Sequence, residues 1–325
     1  MLYLNDSQMR KAVKYEEMLD AIEEAFLQHH SGHYYMPDRY TAESENRRML
    51  YMPCFVKDVI GTKMLAEFPE NPSKGLPYLS GLMILNDRDT GAPLAIMDGS
   101  TLTALRTGAV GGVAIRHLSD PDSHSAGLIG CGVQGLHQLA YASQVRPIRS
   151  CYLYDAYRND YGDFIEKLRR MTAPKELLIK VCANSREVAE KSDILITATQ
   201  SATPVFPEDP SLFRKKCVVA IGSWLPDHKE IPDAIWQTTQ SVLTDLPFAC
   251  EESGDLCQPL QTGLLRRENV RYMGDYLHEK KSGQAQPLGE TRFYKSVGMG
   301  IFDVMAARLI WKKALERRCG QILAE

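Results

Sequence analysis

The stretch from Ser125 to Asp155 restricts this chain more than any other. An apolar strand over 126–129 runs into Gly130-Cys131-Gly132-Val133-Gln134-Gly135. A helix-compatible segment follows over 136–144, and a second apolar strand ends in Asp155. Gly130 permits the tight turn out of the strand, Gly132 lets backbone approach a pyrophosphate, and Gly135 lets the helix lie close on the sheet with its N-terminus facing an anion. Asp155 stands where a carboxylate accepts hydrogen bonds from a ribose 2′-hydroxyl and repels a 2′-phosphate. The glycine spacing alone is common. With the strand before it, the helix after it and the acid at the second strand end, it reads as a dinucleotide site, and NAD is the expected cofactor in preference to NADP.

Beyond Asp155 the alternation continues, with helices over 164–170 and 185–191 and strands over 178–181, 194–197, 218–221 and 241–244. A parallel, doubly wound sheet accounts for such a series, and its ligands bind beyond the carboxyl ends of the strands. Suitable groups stand there: Thr197 and Thr199, the bare backbone of Gly222 with Ser223 and Trp224, and the carboxylate of Asp227. Strand propensity explains the threonines equally well. Lys295 and Ser296 fall at the entry of a long amphipathic helix over 301–316, where a ligand role and ordinary capping are both open.

The N-terminal third has a different texture. Apolar positions at three- and four-residue spacing predict a helix ending near Gly32, and short runs over 49–52, 59–65, 80–85 and 94–97 broken by turn residues predict an antiparallel sheet. A helix rich in small residues over 99–118 then ends at Ser119-Asp120-Pro121, the expected border into the nucleotide domain. A net charge of −3 shows no basic stripe, which argues against nucleic acid and anionic membranes as partners. No basic-then-apolar leader opens the chain and no apolar run is long enough to span a bilayer, so a cytoplasmic location is expected. The eight cysteines lack a C-x-x-C pair and read as buried free thiols. His29, His30 and His33 have no accompanying acid or thiol pattern and read as a solvated helix end, so no metal is expected.

A hydride-transfer enzyme must hold its substrate against the nicotinamide, and the first lobe offers cations for an anionic one. Lys63 interrupts an apolar strand, Arg106 lies in the small-residue helix, and Arg39 follows Pro37 in a loop. A guanidinium clamps a carboxylate through two parallel bonds. Solvent-facing lysine and arginine remain the plain alternatives on pattern alone.

Several segments, in order, resemble the ornithine cyclodeaminase/mu-crystallin family. They are Met49-Leu50-Tyr51-Met52-Pro53, Gly61-Thr62-Lys63, Asn71-Pro72-Ser73-Lys74-Gly75-Leu76-Pro77, Ser80 to Asp87, Leu102 to Ala109, Gly130 to Gly135, Glu252-Ser253-Gly254-Asp255 and Lys295-Ser296-Val297-Gly298. The resemblance implies a Rossmann domain over 119–298 inserted into an α+β substrate-binding and dimerisation lobe made of 1–118 and 299–325, with a homodimer as the assembly. It places Arg39, Lys63 and Arg106 on the substrate carboxylate. It places Arg106, Thr107, Gly130, Gly132, Val133, Gln134, Gly135, Asp155, Thr199, Ser223, Ser296, Val297 and Gly298 around NAD.

Two departures narrow the chemistry. Ornithine cyclodeaminases place a glutamate where this chain has Leu50 and an aspartate where it has Trp224, so a diamine would lose its anionic partners. Pro226-Asp227-His228-Lys229-Glu230 instead resembles relatives that reduce ketimines, oxidise alanine or make opine-like amino acids. Asp227 is either an acid/base at the C=N carbon or a helix cap. The expected activity is NAD(H)-dependent oxidoreduction of a C=N/CH–NH bond beside a carboxylate, on a small amine, imine or keto acid, with Lys63 and Asp227 as catalytic candidates. Cyclodeamination of ornithine or lysine with recycled NAD, and a non-catalytic dinucleotide-dependent binder of the crystallin type, are the alternatives.

Overall fold

A computed structural model describes residues 1–172 and 176–323. The chain forms two compact units, Met1–Arg106 with Met299–Glu325, and Thr107–Gly298. In the first unit come β1 (Leu2–Leu4), α1 (Tyr15–Ser31), β2 (Arg47–Val56), β3 (Val59–Glu67), β4 (Leu79–Asp87) and β5 (Pro93–Asp98). Strands β2 to β5 make the antiparallel meander that the turn residues announced. β1, too short to show a period, joins β5 in parallel, and the short strands Tyr34–Tyr35 and Tyr40–Ser44 both pair with β2. Helix α1 buries Met18, Leu19, Ile22, Ala25 and Phe26 on one stripe and stops at Gly32, whose φ of 72° lies in the left-handed region.

Helix α2 (Gly99–Leu118) carries Arg106 and Thr107 as consecutive residues. The units divide at that pair, twelve residues before the border expected at 118/119. The reason lies in the second half of α2, where Gly108 and Gly111 have no side chain to keep Tyr141 and Gln138 away. A Cβ at Gly108 would sit 2.6 Å from Tyr141 and one at Gly111 1.7 Å from Gln138 Oε1. That close packing ties residues 107–118 to the second unit.

The second unit holds β6 (Ser125–Ile129), α3 (Val133–Val145), β7 (Ser150–Tyr154), β8 (Leu178–Val181), β9 (Ile194–Thr197), β10 (Cys217–Ala220), β11 (Val242–Thr244), β12 (Val270–Tyr272) and β13 (Arg292–Lys295). All eight strands pair in parallel, in the order β8-β7-β6-β9-β10-β13-β11-β12. This is a doubly wound sheet of Rossmann type. Every residue of β6, β9, β10 and β11 is buried, as strands covered on both faces must be. The order turns back on itself at β6 and β9, so the crevice for a ligand lies beyond their carboxyl ends.

One expectation is corrected in the second unit. Lys295 is not at a helix entry: it ends β13, a central strand, and the last helix, α4 (Gly300–Glu316), begins five residues later, back in the first unit. Four strand residues so close to a helix leave no period to read. Among the described residues no helix is long and apolar enough to cross a membrane, and no group of His, Cys, Asp and Glu is arranged to hold a metal ion. All eight cysteines are free thiols, seven of them buried.

Candidate active site

The alternation of β3 puts Val59, Gly61, Lys63, Leu65 and Glu67 on its buried face. Lys63 is therefore only 1% exposed. An ammonium in such a place needs a counter-charge, and Asp303, in the first turn of α4 and fully buried, provides it. Asp303 Oδ1 lies 2.8 Å from Lys63 Nζ and accepts a hydrogen bond of 2.8 Å from Arg106 Nε. The approach of α4 depends on Gly61, where a Cβ would stand 2.6 Å from Val304. With bare backbone under Val304, the preceding Asp303 reaches the ammonium two residues further along β3.

The electrostatics follow from this geometry. Burial lowers the Lys63 pKa to about 8; the Asp303 charge and hydrogen bond oppose that shift, and the positive charges of Arg106 and Arg39 add to it. Arg39, half-buried in its loop, also acts on Glu67, whose carboxyl is pushed up by burial against the pull of Arg48 and Arg39. Lys63 and Arg106 against the single charge of Asp303 leave a positive excess in a dry setting. That is the condition for gripping a substrate carboxylate. Asp303 Oδ2 is buried and accepts no hydrogen bond.

In the second unit Gly130 leaves β6 with a φ of 93°, and a Cβ there would lie 2.6 Å from Ala198 O. Gly135 packs against Gly130 O, where a Cβ would stand at 2.3 Å, whereas the Cβ direction of Gly132 is open for 4 Å. The loop is thus closed where it meets protein and open where a phosphate would come. Val133 begins α3 with 64% of its surface exposed, and Gln134 follows with Oε1 buried and unbonded. Asp155 accepts from Cys131 N at 2.8 Å through Oδ2 and from Tyr157 N at 3.0 Å through Oδ1, which pins the acid beside the loop. Thr107 Oγ1 is another buried polar atom with no partner. An open glycine cradle, a helix N-terminus and unbonded buried polar atoms on Thr107 and Gln134 fit a dinucleotide.

Two further strand ends are fixed by buried acids. Asp245, just past β11, accepts through Oδ2 from Ser296 Oγ at 2.8 Å, Val297 N at 2.9 Å and Gly298 N at 2.7 Å, and through Oδ1 from Tyr294. The segment Ser296-Val297-Gly298 is therefore set by Asp245. Glu230, also fully buried, binds Thr199 N and Oγ1, each at 2.7 Å, and Gly222 N at 2.7 Å. Ser223 Oγ lies 2.9 Å from Ser253 Oγ.

The Asp227 carboxylate belongs to neither of these hydrogen-bonded sets. Its side chain is 81% exposed and meets His228 Nδ1 at 2.8 Å. It sits in a turn, and no helix starts there, so the capping alternative does not hold. Sequence reasoning missed Asp303. The signal available was an acid among Ile301, Phe302, Val304 and Met305, on a helix whose buried face is otherwise apolar.

A family model described as the ornithine cyclodeaminase/mu-crystallin family matches residues 2–318. A Delta(1)-pyrroline-2-carboxylate reductase of Bacillus cereus is 30% identical over 329 residues, 99% of either chain. An alanine dehydrogenase of Archaeoglobus fulgidus is 30% identical over 320 residues, 98% of this chain and 97% of the relative. The solved structure of Thermococcus litoralis Delta(1)-pyrroline-2-carboxylate reductase in complex with NADH and L-proline is similar with a TM-score of 0.88 at 34% identity, covering 99% of this chain and all of that one.

Proposed function

The chain belongs to the ornithine cyclodeaminase/mu-crystallin family, and from that premise we propose that it is an NAD(H)-dependent oxidoreductase that reduces a cyclic imine bearing a carboxylate next to its C=N bond, of the pyrroline-2-carboxylate kind, or runs the reverse oxidation. The observation that carries this reading is the buried pair of cations, Lys63 and Arg106, on the single carboxylate of Asp303. The division of labour assigns substrate binding to the first unit and the cofactor to the second.

Arg106 and Arg39 would hold the substrate carboxylate, with the Arg106 guanidinium oriented by Asp303. Lys63, kept protonated below about pH 8, would complete that grip and place positive charge beside the C=N group as negative charge moves onto nitrogen. Bound NADH supplies the hydride. Gly132, Val133 and Gln134 would receive its pyrophosphate and Asp155 its adenosine ribose, with Thr107, Thr199, Ser223, Ser296, Val297 and Gly298 lining the remainder. Asp227, exposed and paired with His228, is the second acid/base candidate of this scheme beside Lys63.

Leu50, apolar and buried on β2, gives a diamine no anionic partner at that position, which favours reduction over cyclodeamination. An acyclic amino acid is the second reading, because the alanine dehydrogenase relative is as similar as the reductase. The deciding experiment is a substrate panel with NADH or NAD: pyrroline- and piperideine-2-carboxylate, pyruvate with ammonia, and ornithine. Fastest NADH oxidation with the ring imines is expected. Ammonia release from ornithine without net NADH would overturn the reading. NADH binding with no turnover on any substrate would make the chain a binder. A homodimer is also proposed, and light scattering on the eluting protein checks it.

A further inference from the structure

Glu230 occupies no helix or strand, yet it is completely buried, and five donors converge on its carboxylate. Oε1 accepts from Thr199 N and Thr199 Oγ1, both at 2.7 Å. Oε2 accepts from Thr197 Oγ1 at 2.9 Å, Gly222 N at 2.7 Å and Ser223 N at 3.3 Å. The donors come from the carboxyl ends of β9 and β10, so one side chain stitches two neighbouring strand ends together. The space is cut to fit, since a Cβ on Gly222 would lie 2.0 Å from Thr199 O and 2.6 Å from Glu230 Oε1.

The acid is itself held in place. Asp255 Oδ1 accepts from Glu230 N at 2.8 Å and from Ile231 N at 2.9 Å. Asp255 Oδ2 faces the fully buried Lys295 Nζ at 3.2 Å, off the line needed for a hydrogen bond. Lys295 supplies the positive charge that the two buried acids require. A cluster of this kind costs stability relative to apolar packing. Its return is geometric, because a carboxylate with no proton to place can satisfy five donors at once, which no apolar residue or amide does.

We infer that Glu230 is a positioning residue of the cofactor site: it does not touch the cofactor, and it fixes Thr199, Gly222 and Ser223 in the arrangement that receives the dinucleotide. The inference rests on the proposed reading that these strand ends face NADH. Its substitution should therefore move cofactor affinity and leave the grip on the imine, which belongs to Lys63 and Arg106, in place.

The test uses the full chain and two variants, with NADH affinity read by fluorescence titration and imine KM read at saturating NADH. In Glu230→Gln the amide turns an N–H towards donors and loses two or three of the five bonds, so NADH affinity should fall by about tenfold or more, with the KM for the imine unchanged. Thr197→Val keeps the shape and deletes one bond, and should weaken NADH binding by about two- to fivefold in the same direction. Folded Glu230→Gln that binds NADH as tightly as wild type overturns the inference, and so does an imine KM that rises as steeply as the NADH Kd. If Glu230→Gln does not fold, Thr197→Val decides by the same two readouts. A wild-type chain that does not bind NADH would instead overturn the cofactor reading itself.

Discussion

Lys63 Nζ and Asp303 Oδ1 lie 2.8 Å apart although 240 positions of sequence separate them, and neither side chain is more than 1% exposed. Arg106 shares the same oxygen. One carboxylate thus fixes two cations and leaves them a net positive charge, an arrangement suited to an anion.

Removing the Lys63 ammonium should slow reduction and spare the cofactor. Lys63→Met keeps the buried stem, and kcat/KM with the ring imine should fall by about 10²–10³-fold while NADH binds as before. Turnover at the wild-type rate would sink the catalytic assignment.

The pH profile of the wild type carries the same signature. Lys63 is charged below its lowered pKa of about 8 and neutral above it, so kcat/KM should drop as pH rises through that value. Asp303 favours the charged form, hence Asp303→Asn should move this limb to lower pH. It should also lower the urea-unfolding stability by about 3–5 kcal/mol, because two buried cations lose their partner. A limb at the same pH in wild type and variant would show that another group titrates.

The two glycines flanking the start of α3 should separate folding from binding. Gly132 has an ordinary φ of −93° and open space where a Cβ would go, so Gly132→Ala should fold with wild-type stability and lose NADH affinity. At Gly135 a Cβ would stand 2.3 Å from Gly130 O. Gly135→Ala should lower the unfolding midpoint, with a cost of about 1–3 kcal/mol from overpacking. Thermal melts with and without NADH distinguish the two.

Asp155 should set the cofactor preference. Replacing it by Asn removes the charge that repels a 2′-phosphate and weakens acceptance from the ribose, so the preference for NADH over NADPH should narrow by about ten- to a hundredfold. Paired Kd measurements check this, and an unchanged ratio would assign the selectivity elsewhere.

Local pattern determined much of this protein. The glycine register, the strand before it and Asp155 are contiguous, so a dinucleotide cradle was legible from one stretch, and the β/α alternation after it announced a parallel sheet. Lys63 was visible as a charge in an apolar strand, and Arg106 as one in a small-residue helix. The strand Arg292–Lys295 was not legible, since four residues carry no period and its place in the sheet is decided by pairing with β10 and β11. Nor could sequence tell a buried Lys63 from a solvent-facing one. That choice needed α4 to pack on Gly61 and bring Asp303 to the ammonium. Asp245 and Glu230 are of the same kind. Each accepts hydrogen bonds from segments distant along the chain, and long-range partners leave no trace in local spacing. Residue types and their periods specified which groups were available; which of them are desolvated, and against what charge, was settled only by tertiary packing, because the cost of burying a charge depends on the partner that meets it.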